Sequence, residues 1–433
     1  MFIRKGMAFM KNSAKRTLIG ALFALSLSSC FYFPLGAIDN EDWYKTEPYP
    51  SASESSISSE SSSMDSSSSS SDPFAPTLDK LTFRLNGSSG YEVAMAHELI
   101  KGDVIIPEVY EGLPVTSIQD RGFSSCQITS IFIPSSIKEI GTYAFQYCSS
   151  LTTVTLNEGL TIIDDYAFWM CESLSSIVIP DSVTRICEHA FGECHSLQTA
   201  QIGSGLFILE KAVFSWCWSL ESITVSEDNP LFTSEEGILY DKRKTEIVAF
   251  PMAKETIYVP EGVTSIGDGA YCGATMETIY IPDSVTSIGE RAFYNCEELR
   301  TFIFGRNVRT VKEMAFAYCP ELREIVLPSS IETIGREAFY WCGLTSVIVP
   351  DAPVSIGDYA FSMCESLSSF SLGKSVSYLG GTLFGNCSAL KTLDYGGTIS
   401  DWENITKDQR WNLSSQLERV VCTDDQINLV HES

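Results

Sequence analysis

Residues 310–319 read Thr-Val-Lys-Glu-Met-Ala-Phe-Ala-Tyr-Cys, and residues 333–342 read Thr-Ile-Gly-Arg-Glu-Ala-Phe-Tyr-Trp-Cys. Both end in Ala-Phe-x-x-Cys, and variants of this pattern recur along the chain. The aromatic position is filled by Phe123, Phe145, Phe168, Phe191, Phe214, Tyr271, Phe293, Phe316, Phe339, Phe361 and Phe384. The steps between copies are 22, 23, 23, 23, 57, 22, 23, 23, 22 and 23 residues. This period predicts a solenoid, because a repeat so short cannot bury its own apolar side chains.

One repeat shows the expected course of each coil. Residues 299–304 space their inward side chains as in the strand of a leucine-rich repeat. Val308 and Val311 form a second extended stretch, and Met314–Phe316 is predicted to return the chain through a helical or 3₁₀ turn. The expected fold is a right-handed, β-rich leucine-rich repeat solenoid with one short parallel strand and one such turn per coil of about 23 residues.

Several strands share the pattern Leu-x-x-Ile-x-Ile-Pro, as in Leu174–Pro180, Met276–Pro282 and Leu322–Pro328. Together with the Ala-Phe-x-x-Cys turns, this pattern resembles the BspA-like leucine-rich repeat family of bacterial surface proteins over about residues 83–422. The resemblance implies a hairpin insertion within the 57-residue step and capping segments at both ends. It also implies attachment to macromolecules of a host or of neighbouring cells, with protein ligands favoured over glycans.

The predicted domain organisation has five parts. They are a lipoprotein signal peptide (1–29), an acidic Ser-rich tether (30–78), an N-terminal capping segment (79–121), the solenoid (122–393, with the insertion at about 226–256) and a C-terminal cap and tail (394–433). Solenoids need caps because the terminal coils would otherwise expose their core.

The N-terminus carries the features of an export signal. Basic residues without any acid precede the apolar run Leu18–Leu27, which is too short to span a bilayer. Leu27-Ser28-Ser29-Cys30 resembles a bacterial lipobox, and this resemblance implies lipidation of Cys30. The alternative is an ordinary signal peptide followed by an unrelated cysteine. We therefore expect a protein on the extracellular face of the bacterial membrane, anchored only by its N-terminal lipid.

The charge and the residue pattern exclude several functions. A formal net charge of −26 disfavours nucleic acid and anionic lipid as partners. No carboxylate pair recurs with a histidine, a nucleophile or a Gly-rich phosphate loop, so we expect neither an enzyme nor a cofactor.

Ten of the 14 cysteines lie three residues after the aromatic position. We expect free buried thiols that donate weakly to turn carbonyls, rather than disulfides between coils, because pairing would break the equivalence of the sites. Cys187, His189, Cys194 and His195 lie close together in sequence, but no metal site is expected. Cys194 belongs to the inward ladder, and both histidines occupy slots that other copies suggest face solvent, with Glu188-His189 on a solvated face.

One side chain between the inward residues of each strand must point outward. Stacking aligns these side chains in a row on the concave face: Phe132, Thr155, Val178, Gln201, Thr224, Tyr258, Tyr280, Ile303, Val326, Ile348 and Ser371. The row is apolar for a solvent face, which indicates either β propensity or a docking strip for an extracellular protein. The selected binding candidates are Phe132, Tyr258, Tyr280 and Ile303.

A second row of aromatic residues follows the aromatic position of the repeat: Tyr147, Trp169, Trp216, Tyr294, Tyr318, Tyr340 and Trp341. We favour packing over the next coil as their role, but exposed rings could also stack on sugars. Adhesion through a protein ligand is therefore the main functional hypothesis. A glycan- or cell-wall-binding module and a non-binding structural spacer are the alternatives.

Overall fold

The computed structural model describes residues 77–87, 89–96 and 100–429. The predicted signal peptide, Cys30 and all but the last two residues of the predicted tether lie outside the described residues. Within the described part of the chain, no helix is long and apolar enough to cross a bilayer.

The regular elements of the described chain are nearly all short strands, two in most coils. Before the insertion they are β1 Leu81–Asn86, β2 Gly90–Met95, β3 Lys101–Ile105, β4 Val109–Tyr110, β5 Leu113–Ile118, β6 Gln127–Ile133, β7 Glu139–Ile140, β8 Thr153–Leu156, β9 Ile162–Ile163, β10 Ser176–Ile179, β11 Arg185–Ile186, β12 Thr199–Ile202, β13 Ile208–Leu209 and β14 Ser222–Val225. The 57-residue step contains β15 Phe232–Glu235, β16 Ile238–Asp241 and β17 Glu246–Ala249.

The second run of coils continues with the same alternation. Its strands are β18 Ser265–Ile266, β19 Thr278–Tyr280, β20 Ser287–Ile288, β21 Thr301–Ile303, β22 Thr310–Val311, β23 Glu324–Val326, β24 Thr333–Ile334, β25 Ser346–Val349, β26 Ser355–Ile356, β27 Ser369–Leu372, β28 Tyr378–Leu379, β29 Thr392–Tyr395, β30 Thr406–Lys407, β31 Arg419–Val421 and β32 Gln426–Asn428. The described helices are a 3₁₀ turn at Leu78–Lys80 and α1 at Ile399–Asn404.

The strands stack coil upon coil into two series of sheets, which are parallel between coils and antiparallel at β1–β2, β15–β16–β17 and β31–β32. The longer strands form the sheets β3-β6-β8, β10-β12-β14 and β19-β21-β23-β25-β27-β29-β31-β32. The two-residue strands extend the sheets β1-β2-β5-β7-β9-β11-β13 and β15-β16-β17-β18-β20-β22-β24-β26-β28-β30. Equivalent residues pair throughout, as Ile279 does with Phe302 and Ile266 with Ile288. The predicted repeat solenoid is confirmed.

The return turn of each coil is not the expected helix or 3₁₀ turn. Its backbone instead forms a third ladder of hydrogen bonds between coils. In one coil the N–H groups of Tyr143, Phe145 and Tyr147 donate to carbonyls of the next coil at 2.7–2.9 Å. The intervening N–H groups close tight turns within the coil, from Ala144 to Gly141 for example. Alternate amides therefore point along the solenoid axis, as they do in a parallel sheet.

This geometry requires left-handed backbone two residues before and two residues after each aromatic residue. The residues with positive φ in these slots are Arg121, Ser125, Tyr143, Tyr147, Tyr166, Met170, His189, Glu193, Ala212, Trp216, Gly269, Gly273, Arg291, Asn295, Met314, Tyr318, Glu337, Trp341, Tyr359, Met363, Thr382 and Asn386. A left-handed non-glycine residue costs roughly 1–2 kcal/mol, so hydrogen bonds between coils and burial of the ring must offset the cost.

The aromatic side chains of the repeat form the centre of the core. Phe145, Phe168, Phe316 and Phe339 are completely buried, and neighbouring rings in this position stack at centroid distances of 5.0–6.3 Å. Interplanar angles in these pairs are at most 23°. The rings thus stack in the same direction as the strands.

The cysteines of the repeat are free and buried, as predicted. Each thiol from Cys148 onward in the ladder donates to the carbonyl of the aromatic residue one coil earlier, at 3.0–3.4 Å. Burial raises the pKa of Cys217 and of Cys387 to about 12. These two thiols are therefore protonated structural donors, and reactivity would require the thiolate.

The insertion separates the core into two clusters. Strand β16 contributes Leu239 to the N-terminal cluster, whereas Ile238 and Tyr240 pack in the C-terminal one. The turns on the two sides of the insertion also pack closely against each other, since a Cβ on Gly273 would overlap the indole of Trp216. The hairpin is thus a packed spacer between two runs of coils.

Charged side chains link the coils across this junction. Lys211 Nζ lies 2.7 Å from Glu290 Oε1, and Arg291 Nη1 lies 3.1 Å from Glu188 Oε1. The four side chains are only 24–30% exposed. Glu188 therefore belongs to a partly buried ion-pair network, and the prediction of a solvated Glu188-His189 face is wrong.

His189 is buried rather than solvent-facing. It is 7% exposed, its Nδ1 lies 2.8 Å from Ser215 Oγ, and its ring stacks between Tyr166 and Trp216 at 5.1 and 5.9 Å. Burial, with the positive charges of Arg291 and Lys211, lowers the pKa of His189 to about 4. The imidazole is therefore neutral at pH 7.

The C-terminal end is closed by a short helix and an antiparallel strand. Thr398 and Asp401 form a capping box at the start of α1, and Trp402 packs edge-on against Tyr395 at 5.3 Å. Strand β32 pairs antiparallel with β31 and ends the longer sheet.

Substitution of one ladder phenylalanine should test the energetic role of the stack. We expect Phe339→Ala to lower the free energy of unfolding by about 3–5 kcal/mol, because it leaves a cavity among fully buried rings. Phe207→Ala, the same change at an exposed phenylalanine, should cost much less. Urea denaturation of both variants checks this, and equal losses would contradict the role of the stack.

The buried imidazole should make stability depend on pH. The folded pKa of His189, about 4, lies below the ordinary value of 6.5, so its stabilising contribution is present above pH 6.5 and is lost as the pH falls towards 4. When the pH falls from 7.5 to 4.5, the parent protein should therefore lose about 2 kcal/mol more of its unfolding free energy than His189→Gln does.

The control for this measurement is Tyr166→Phe, which alters the same stack without a group that titrates in this range. Its difference from the parent protein should stay constant in urea titrations at both pH values. A constant difference for His189→Gln as well would show that the imidazole has the same pKa in the folded and unfolded protein, which would contradict its burial in the neutral form.

Candidate binding surfaces

The longer sheet after the insertion presents a line of exposed apolar side chains, here called the apolar strip: Tyr280, Ile303, Val326 and Ile348. The register pairs Tyr280 with Ile303 and Val326 with Ile348. Pairing of β21 with β23 brings Ile303 beside Val326. These four residues are 66%, 42%, 76% and 60% exposed.

The strip follows from the alternation of the strands. In β21 and β23 the central residues Phe302 and Ile325 are buried in the core, so the residues on either side point outward. The repeat spacing also places Val326 and Ile348 in the outward row, although the four binding candidates do not include them. The sequence pattern could have identified both as binding candidates, since they are β-branched apolar residues on consecutive coils.

The other two selected candidates lie outside the strip. Phe132 is only partly exposed, in β6 near the N-terminal end. Tyr258 lies in no strand, its ring packs edge-on against Phe250 at 5.7 Å, and its hydroxyl donates to Glu236 at 3.0 Å. Tyr258 therefore has contacts within the insertion, and no strand pairing joins it to Tyr280.

Charged residues lie at or just before the N-terminal ends of the strands that carry the strip. Arg300 and Arg323 share one carboxylate, that of Glu321, at 3.8 and 3.5 Å. Glu277, Glu298 and Glu324 are exposed, and the described residues provide none of them with an ion pair. The flank therefore carries an excess of unpaired carboxylates. These charges border an apolar surface that is one side chain wide.

The predicted aromatic row forms a continuous ridge along the turn side. Ring contacts join Tyr147 to Trp169, Trp216 to Tyr294, Tyr294 to Tyr318, and Tyr318 to Tyr340 and Trp341, at 5.3–6.2 Å. Tyr166 and His189, which were not in that row, bridge Trp169 to Trp216.

Few ring faces of the ridge are open to solvent. Only Tyr147 and Trp341 among the seven predicted residues are exposed, and the other five are partly buried against their neighbours. Several contacts are tilted or edge-to-face, as for Tyr294 on Tyr318 at 61°. Mutual packing therefore accounts for most of the ridge.

The residues considered for a metal site have other contacts. His195 stacks on Trp218 at 4.3 Å and is only partly exposed, so its prediction as a solvent-facing residue is wrong; burial lowers its pKa to about 4. Cys194 donates to Phe168 O. Within the described residues, ligand atoms converge instead at Asp164, Asp165 and Cys187.

Structural hydrogen bonds account for much of this convergence. Asp165 Oδ1 accepts the Glu188 N–H at 3.0 Å, and Asp164 Oδ2 accepts the hydroxyl of Thr142 at 3.2 Å. Burial, reinforced by the hydrogen bond to Asp164, raises the pKa of Cys187 to about 12. The thiol is thus protonated at neutral pH, whereas a metal would need the thiolate.

A cleft of about 360 Å³ lies where β13 faces the insertion and the following coil. Its charged lining is largely paired, Lys211 with Glu290 at 2.7 Å and Lys312 with Asp268 at 3.1 Å. Burial and the charge of Asp268 raise the pKa of Glu246. The cleft has no nucleophile and base in contact, and we assign it no chemistry.

A family of known proteins shares the repeat of this chain. The family model described as a BspA type leucine-rich repeat region matches residues 116–235, 250–352 and 332–420. A leucine-rich repeat protein from Eubacterium ventriosum is 22% identical, with 80% of this chain and 97% of that chain covered and a TM-score of 0.52. That similarity supports the fold.

Two further solved structures have lower TM-scores. A leucine-rich cell surface protein from Faecalibacterium prausnitzii is 26% identical, with 79% of this chain and 100% of that one covered and a TM-score of 0.46. The pneumococcal vaccine antigen PcpA is 20% identical, with 79% and 96% covered and a TM-score of 0.49. A search among curated proteins found no match. Because the family model matches more than half of the chain, the protein belongs to the BspA-type leucine-rich repeat family.

Proposed function

We propose that the protein is a non-catalytic binding protein of the bacterial cell surface, which attaches to a protein of a host or of a neighbouring cell. The observation that carries this proposal is the apolar strip, in which four exposed apolar side chains occupy consecutive coils. Contiguous apolar surface of this kind is typical of interaction sites, and solenoids commonly bind along an extended face.

β propensity alone is a weaker account of the strip. The equivalent positions in β6, β8, β10, β12 and β14 carry Phe132, Thr155, Val178, Gln201 and Thr224, so parallel strand pairs form in those two shorter sheets with fewer exposed apolar residues. The apolar residues are thus concentrated on one part of the solenoid, which sheet stability does not require.

Surface attachment is the second part of the proposal. Family membership supports a location at the cell surface, and the lipobox-like Leu27-Ser28-Ser29-Cys30 supports a lipid anchor at Cys30. The following Ser-rich segment would then hold the solenoid away from the membrane, since such a composition provides no apolar core.

Glycan binding by the aromatic ridge is the second candidate. The exposed rings of Tyr147 and Trp341 favour it, because amphipathic rings can stack on sugar faces. The partly buried rings between them weaken it, since most of their area already contacts neighbouring rings.

A binding screen with three double variants tests these candidates. The parent protein, Tyr280→Ser/Val326→Ser and Tyr147→Ser/Trp341→Ser should be tested against extracellular-matrix proteins, intact neighbouring cells and a glycan array. Val178→Ser/Gln201→Ser is the matched control, because it changes the same outward row before the insertion. We expect saturable binding of a protein that only the strip variant weakens, by about tenfold or more for two lost apolar contacts, with unchanged melting temperature.

Other outcomes would contradict the proposal. Glycan binding that only the ridge variant weakens would move the site to the ridge. A protein partner whose binding the strip variant leaves intact would exclude the strip as the site, and no binding at all would favour a structural spacer.

A further inference from the structure

We propose that the partner presents a cationic amphipathic α helix, which lies on the apolar strip along the direction in which the coils stack. This inference rests on the proposed function and specifies the chemistry of the partner at the same surface. Three properties of the strip lead to it: its repeat distance, its width and the charge beside it.

The repeat distance of the strip matches a helix. Neighbouring strands lie about 4.8 Å apart, so the four side chains from Tyr280 to Ile348 span about 14 Å. Helix residues at i, i+3, i+7 and i+10 form one face and span about 15 Å, at 1.5 Å per residue. An extended segment presents side chains on one face only every 6.7 Å or so, about 20 Å for four. A helix can therefore contact every member of the strip, whereas an extended peptide in this direction cannot.

The width of the strip also favours a helix. On one side Thr278, Thr301 and Glu324 are exposed polar residues of the same strands. On the other side Ile281 and Leu327 turn into the core. The exposed apolar side chains thus form a single column, with the partly exposed Pro282 and Pro328 beyond the buried residues, and this fits the narrow apolar seam of an amphipathic helix.

The charge beside the strip determines the polar face of the partner. Glu324 lies on the outward side of β23 two residues before Val326, and the exposed Glu277 and Glu298 lie one and three residues before β19 and β21, while Arg300 and Arg323 share Glu321. The whole chain has a formal net charge of −26. Lysine or arginine residues flanking the apolar seam would therefore be attracted over long range and could pair with these carboxylates on contact.

A second copy of this chain fits the surface less well. Four side chains provide on the order of a few hundred Å² of apolar surface, below the roughly 800 Å² per partner of a stable interface. A face-to-face pair with antiparallel strips would also bring the two rows of glutamates together as like charges. The strip therefore suits a smaller, oppositely charged element.

Model peptides test this inference with the intact chain. The first probe is a fluorescent peptide of about 14 residues, two heptads, with Leu at the a and d positions and Lys elsewhere. The second has the same composition with its Leu residues in alternation, as in an amphipathic strand, and the third replaces Lys by Glu in the helical pattern. We expect fluorescence anisotropy to show binding of the first probe, tighter than that of the other two by about tenfold or more.

Variants of the strip locate the binding. Val326→Ser/Ile348→Ser should weaken binding of the Leu/Lys helix at least about tenfold, while Val178→Ser, an exposed valine in the same row before the insertion, should leave it unchanged. Circular dichroism and the melting temperature of both variants should match those of the parent.

Three results would overturn the inference. Tighter binding of the alternating peptide would indicate an extended partner. Equal binding to the parent and to Val326→Ser/Ile348→Ser would indicate general attraction to an acidic surface. Absence of binding by all three peptides would exclude a helical partner of this chemistry, while the screen with whole proteins and cells would still decide separately whether the strip is a binding site.

Discussion

Adjacent coils are joined through the backbone of the aromatic turn, and the rest of the structure depends on this connection. The amides of residues such as Phe145 and Phe316 point to the next coil, which is possible because the flanking residues are left-handed. The same turn buries the ring on the stack and places the cysteine thiol against the preceding coil's carbonyl. One backbone arrangement thus sets hydrogen bonding, core packing and thiol position together.

The two surface features follow from this arrangement. The third ladder, together with the two series of sheets, fixes the coils at strand spacing, so equivalent outward residues form continuous columns. One column carries Tyr280, Ile303, Val326 and Ile348, and the turn side carries the aromatic ridge. The two columns differ in exposure to solvent. The outward side chains of the strands remain exposed, whereas the rings on the turn side cover one another. For this reason the strip is the better binding surface.

Much of the fold could be predicted from sequence because the same residue pattern recurs in successive coils. The period identified the coil, and the fixed position of Cys148 and its equivalents predicted buried free thiols. The turn conformation was not predictable in the same way, since tyrosines such as Tyr143 and Tyr147 have no intrinsic preference for left-handed backbone. Only contacts with the next coil favour that conformation.

The errors about single residues have a common physical origin. His189 occupies a slot that other coils suggested was exposed, but Tyr166 and Trp216 in neighbouring coils cover it. His195 was likewise expected to face solvent, but Trp218 stacks on it at 4.3 Å. A repeat pattern predicts where a slot lies, while the exposure of that slot depends on which residues fill the adjacent coils.

Amide hydrogen exchange measured residue by residue tests the central role of the turn ladder most directly. The N–H groups of Phe316 and Phe339 donate to the next coil at 2.8 and 2.9 Å, although both residues lie in turns. They should therefore exchange within about tenfold of strand amides in the same coils, far more slowly than the amide of Arg243 in the exposed hairpin loop. Exchange of Phe316 and Phe339 as fast as that of Arg243 would contradict the account, because the coils would then be held together by the sheets and the core alone.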